Sequence, residues 1–125
     1  MKITVIGDPH GSQKVKDIPL KNSDLILVTG DLGKADLMRK MAFENINRVK
    51  QWLSEKEYTP KQEQRAFMQA YNSTMRLMKY FSKFAPVYTV FGNVETNNAD
   101  TRKMSKKIGI DLPLLANDLN AMDNV

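Results

Sequence analysis

A chain of 125 residues is long enough for one domain with a modest core and too short for two. Its 19 basic and 14 acidic side chains leave a net charge of +5, which suits phosphate-bearing ligands but does not by itself assign nucleic acid as the partner. With no cysteine there is neither a disulfide scaffold nor a cysteine zinc knuckle, and no apolar run approaches the ~20 residues that span a bilayer.

Met1-Lys2 leads straight into a short apolar run with no signal-peptide core, so a cytoplasmic location without membrane attachment is expected. The first predicted strand is Ile3-Thr4-Val5-Ile6, followed at once by Asp8-Pro9-His10. The second is Leu25-Ile26-Leu27-Val28-Thr29, followed by Gly30-Asp31. The third is Val87-Tyr88-Thr89-Val90-Phe91, followed by Gly92-Asn93-Val94-Glu95. Each run is apolar and rich in β-branched residues, the pattern of a strand buried on both faces in a parallel α/β sheet. In such sheets the carboxyl ends of the strands line the ligand crevice, where residues distant in sequence converge. Asp8, His10, Asp31 and Asn93 then sit together, and their oxygens and imidazole are metal ligands. Taken singly, Asp8, His10 and Asn93 are accounted for by turn chemistry. Repetition behind every strand argues for a metal site.

Between the second and third motifs, Leu37, Met38, Met41, Ala42, Val49, Trp52 and Leu53 recur at helical spacing, as do Phe67, Tyr71, Met75, Met78 and Phe81. Polar Ser54 to Thr59 is the expected turn. Thr59-Pro60 is a good helix start, with Thr as N-cap and Glu63 in support, and Pro86 is the stop. Residues 34–85 are thus expected to form a helical hairpin. Its Met and aromatic stripe reads first as core packing, but the length, greater than two strands need for connection, also admits a homo-oligomer contact. Further on, Arg102, Lys103, Lys106 and Lys107 lie on a short helix with Asp100 as expected N-cap and Gly109 as its end, where basic charge favours the helix dipole. Lys34 either reaches toward a substrate phosphate or is a solvated lysine at a helix start, while Glu95 and Asp36 position ligands or cap helices.

The order Asp-x-His, Gly-Asp, Gly-Asn-x-Glu resembles the calcineurin-like metallophosphoesterase superfamily over residues 3–95. The resemblance implies an α/β fold in which two sheets stack as a sandwich, with this chain forming the N-terminal half and the hairpin inserted in it. Residues 1–125 would then be a single, incomplete domain. It further implies two divalent ions, with Asp8 and His10 on one, Asp31 bridging both and Asn93 on the second, so that Asp31 and Asn93 are the catalytic candidates. Mixed oxygen and imidazole ligands suit manganese first, then iron, zinc or nickel. The implied activity is hydrolysis of phosphate mono- or diesters by a metal-activated hydroxide.

Two departures qualify that implication. Val94 stands where many members carry a histidine, and valine transfers no proton. Only one histidine, His10, is present, so the later histidines that complete both metal sites are missing. A shortened chain, a domain completed by another chain or a minimal variant would each explain this. Half a sandwich would also leave an apolar sheet face against water. The segment from Asn117 to Val125 reads as a loop leading into a further strand. A non-catalytic interaction scaffold of the same fold is the competing reading, and a receiver-like signalling domain is a distant third.

Overall fold

The computed structural model describes residues 1–125. Three parallel strands, β1 (Ile3–Ile6), β2 (Leu25–Val28) and β3 (Val87–Thr89), form one sheet in the order β1-β2-β3. Ile3 pairs with Leu25 and Ile26 with Val87, so the three carboxyl ends emerge on the same edge. A 3-10 turn (Gln13–Asp17) links β1 to β2, and four helices follow: α1 (Asp36–Lys50), α2 (Pro60–Ser82), α3 (Asn98–Ile108) and α4 (Leu115–Asn120).

Strand alternation sends Ile6, Ile26, Val28 and Val87 to one face, where they pack with Leu77, Met78 and Phe81 of α2 and Leu115 and Leu119 of α4. Alternation sends Ile3, Val5, Tyr88 and Val90 to the other face, which is open, with Val5 62% and Tyr88 64% exposed. Burial on both faces, expected from the apolar runs, therefore holds for only one. A β-branched run reads the same whether or not its second face is covered, because cover is a property of what packs there. No second sheet is present in the chain.

α2 organises the buried side. Its apolar and small residues Ala66, Phe67, Ala70, Ser73, Thr74, Leu77, Met78 and Phe81 are buried at 3–4 residue spacing. The helix starts with a capping box in which Thr59 accepts from the Gln62 N–H and the Gln62 side chain accepts from the Thr59 N–H. Gln62, not Glu63, closes the box, because the third helical position is set by Pro60 being the first. α1 differs in kind: none of its residues is buried. It is held by Tyr58 Oη donating to Glu44 at 2.9 Å, by Asn45 accepting from the Lys56 N–H at 2.7 Å, and by Arg48 Nε donating to the Ser54 carbonyl at 2.8 Å.

Two local expectations are corrected. The α3 N-cap is Asn97, whose side chain accepts from the Asp100 N–H; Asp100 lies inside the first turn, where its charge still favours the dipole. The segment read as a loop carries α4, after which the Asn124 carbonyl accepts from the Val87 N–H at 2.7 Å on the outer edge of β3. No helix is long and apolar enough to cross a membrane.

Tyr71 of α2 donates to Asp118 of α4 at 2.5 Å, and burial together with that carboxylate pushes its phenol up to about 12. A proton held more tightly in the folded chain stabilises it fully below the ordinary tyrosine value of 10.0 and progressively less as pH rises through 12. Tyr71→Phe should therefore lower the melting temperature at pH 8 and flatten the loss of stability between pH 10 and 12. Thermal melts across that range check both.

Candidate metal centre

The loops after β1 and β2 are hydrogen-bonded to one another: the His10 N–H donates to the Asp31 carbonyl at 2.9 Å and the Gly11 N–H to the Leu32 carbonyl at 2.8 Å. Bringing these backbones side by side places ligand atoms of Asp8, His10 and Asp31 within 4.8 Å of one another. His10 Nε2 lies 4.0 Å from Asp31 Oδ2. A divalent ion holds nitrogen and oxygen ligands at about 2.0–2.2 Å, so two opposed ligands sit roughly 4 Å apart, a separation close to those in this cluster.

All three residues occupy the left-handed region, with φ of 39° at Asp8, 47° at His10 and 48° at Asp31. L-residues rarely adopt it, Asp, Asn and His being the least penalised after glycine. Such a conformation costs of order 1–3 kcal/mol per residue and persists where the surroundings enforce it. Three of the chain's six non-glycine residues with positive φ therefore lie in this one cluster. Asp8→Gly tests the cost of this conformation directly. Relief of strain outweighs the ~0.4–1 kcal/mol by which glycine's freedom favours the unfolded chain, so urea denaturation without metal should show the variant equal to or more stable than wild type.

The loop after β3 joins the other two through Glu95. Its carboxylate accepts from the Asp31 N–H at 3.1 Å, from the Gly92 N–H at 2.8 Å and from the Leu32 N–H. In return Asp31 Oδ1 accepts from the Val94 N–H at 3.1 Å. Exposed Asn93 lies between Gly92 and Val94, two residues in contact with Asp31, and so belongs to the loop that touches the cluster. α2 supports the same loops: Ser73 accepts from the Lys34 N–H at 2.7 Å and Gln69 from the Leu37 N–H at 3.0 Å, the latter in place of a side-chain cap that Ala35 does not provide.

Positive charge stands beside the cluster. Arg39, from the second turn of α1, donates to His10 Nδ1 at 3.3 Å. Since guanidinium only donates, a neutral ring carries its proton on Nε2, toward Asp31. Lys34 instead pairs with Asp36 at 3.4 Å in solvent. Sequence pattern alone did not single out Arg39, Gln69 or Ser73, since helical spacing marks apolar positions and is silent about which polar ones turn toward a loop.

The fold is thus a mixed α/β domain with a three-stranded parallel sheet, and side chains of Asp8, His10 and Asp31 that could hold a metal ion converge at its carboxyl edge. The family model of the calcineurin-like phosphoesterases matches residues 1–124, and the chain belongs to that family. No curated protein and no solved structure matches it.

Proposed function

We infer that the protein is a metal-dependent phosphoesterase acting on phosphate mono- or diesters, with Asp8, His10 and Asp31 holding one divalent ion and Asp31 and Asn93 contributing to a second. The observation that carries this reading is the convergence of three left-handed residues, Asp8, His10 and Asp31, at the ends of neighbouring strands. Manganese is the first choice for this donor set, with iron, zinc or nickel as substitutes. Bound there, divalent ions supply Lewis-acid polarisation of the phosphoryl group and acidify the attacking water.

The chain's own residues set the rest. Asp31 has one carboxylate oxygen held by the Val94 N–H and the other facing His10, an orientation suited to a bridging ligand. Arg39 is placed to meet a phosphate oxygen once it leaves His10. Val94 is buried and carries no proton, so the leaving oxygen takes its proton from water. Esters of good leaving groups are thus the favoured substrates. With Mn²⁺, p-nitrophenyl phosphate or its bis ester should be hydrolysed, and Asp31→Ala should lower kcat at least 100-fold. Turnover unaffected by that substitution would refute the assignment.

The residues are best grouped as one domain over 1–125, with 34–85 as a helical insertion, in the cytoplasm. The open face of Ile3, Val5, Tyr88 and Val90 is the surface on which the family's second sheet would pack, supplied by a longer parent chain or another copy. That same face favours one second reading, a non-catalytic interaction scaffold, which predicts no metal-dependent turnover. Nucleic acid is not favoured as substrate.

A further inference from the structure

We propose that Arg39 couples metal binding to phosphate binding. Without metal it holds His10 in the tautomer that cannot bind an ion, and once His10 gives its nitrogen to the ion the freed guanidinium takes oxygens of the substrate's phosphoryl group. The inference rests on the metal-dependent phosphoesterase reading and adds to it the condition under which Arg39 becomes available.

Close backbone packing sets the position of Arg39. Gly11 approaches Lys34 so nearly that a Cβ on it would stand 2.9 Å from the Lys34 nitrogen. On the other side, Ser73 and Gln69 of α2 accept from the Lys34 and Leu37 N–H groups. The start of α1 is thus fixed against the loop that carries His10, and the Arg39 N–H continues the helix by donating to the Ala35 carbonyl at 2.9 Å. Although Asp8 and Asp31 belong to the same cluster, the guanidinium pairs with no carboxylate. Its side-chain partner is His10 Nδ1 at 3.3 Å.

That partner is the wrong one for a histidine bound to metal. An imidazole that ligates through one nitrogen carries its proton on the other, and this N–H donates to a carboxylate, a carbonyl or water. His10 turns Nε2 to the cluster, 4.0 Å from Asp31 Oδ2, and Nδ1 to Arg39. A guanidinium offers donors and no acceptor, so it bonds Nδ1 only while the lone pair is there and the proton is on Nε2. For Nε2 to ligate, its proton goes to water and Nδ1 takes one from water, with no net change in protons bound. Nδ1 then faces Arg39 as a donor against a donor, and the guanidinium is expelled. Exposed and without a carboxylate partner, it is left to a phosphoryl group, whose oxygens match its fork. One side chain therefore opposes metal binding and favours phosphate binding.

The test uses His10 being the only histidine in the chain, so that its ring nitrogens give the only imidazole signals in a nitrogen NMR spectrum. At pH 8 without metal, wild type should carry the proton on Nε2; with Zn²⁺, which is diamagnetic, it should carry it on Nδ1. Arg39→Met keeps the aliphatic stem and removes the donors. By calorimetry it should bind Mn²⁺ at least fivefold more tightly, and its Mn²⁺-loaded form should bind inorganic phosphate at least tenfold more weakly. A merely structural arginine would weaken both. A general effect of charge would appear equally in Lys40→Met, an exposed neighbour for which neither affinity should change more than twofold. A metal-free wild type with its proton on Nδ1, Mn²⁺ affinity unchanged or lowered in Arg39→Met, or changes matched by Lys40→Met would each overturn the proposal and leave the metal reading intact. A wild type that binds no Mn²⁺ would remove both.

Discussion

Replacing Glu95 with alanine should cost about 3–5 kcal/mol of stability and at least 100-fold in Mn²⁺ affinity. The carboxylate accepts from the backbone N–H groups of Asp31, Leu32 and Gly92, which lie on two different strand-end loops. A hydrogen bond to a charged group is worth roughly 1.5–3 kcal/mol, and a partly buried donor left unmet adds its own desolvation penalty. Three such bonds do not add in full, because released loops find water. Even the lower figure is a large share of the ~5–15 kcal/mol that holds an ordinary domain together. Glu95→Gln should lie between, since its amide nitrogen would face a donor where the carboxylate offered an acceptor. Urea denaturation and Mn²⁺ titration of the three proteins read the two effects separately. If alanine lowered stability by less than 1 kcal/mol, the clamp would be a crowded turn and nothing more.

Gly92→Ala should damage the site by a different route, with loss of about 2–3 kcal/mol from overpacking. A Cβ on Gly92 would stand 2.6 Å from the Asp31 nitrogen and 2.8 Å from its Cγ, so either the third loop or the proposed bridging carboxylate must move. The backbone of Gly92 is not left-handed, so the expected damage is steric. Gly109→Ala is the matching control: there φ is +69° and a Cβ would meet nothing within 4 Å, so only backbone strain of about 1 kcal/mol is expected, with Mn²⁺ binding untouched. Calorimetry on both variants should show metal binding lost in Gly92→Ala alone.

The sequence announces the parallel sheet through three β-branched runs, and it announces the convergence of Asp8, His10 and Asp31 because each stands just past one of them. Other features depend on partners far along the chain. Glu95 stands beside a motif, yet its work is done on Asp31 and Leu32, more than sixty positions away. The left-handed backbone of Asp8, His10 and Asp31 leaves no compositional trace, since the residues that tolerate it are also metal ligands and turn formers. Apolar periodicity marked α1 and α2 alike, but only α2 is buried, because periodicity reports a face and not what meets it. Similarly, Asp100 and Asn97 are both good caps, and the choice between them is fixed by where α3 begins.

The central claim is that Asp8, His10 and Asp31 form a metal centre organised around Asp31. Calorimetric titration of the protein with Mn²⁺ beside Asp31→Ala tests it most directly, because a bridging ligand affects every ion bound. The account predicts saturable binding to wild type and at least a 100-fold loss in the variant, with the fold retained by circular dichroism. Binding that is absent from wild type, or equal in the two proteins, would contradict it and leave the family fold serving as a scaffold.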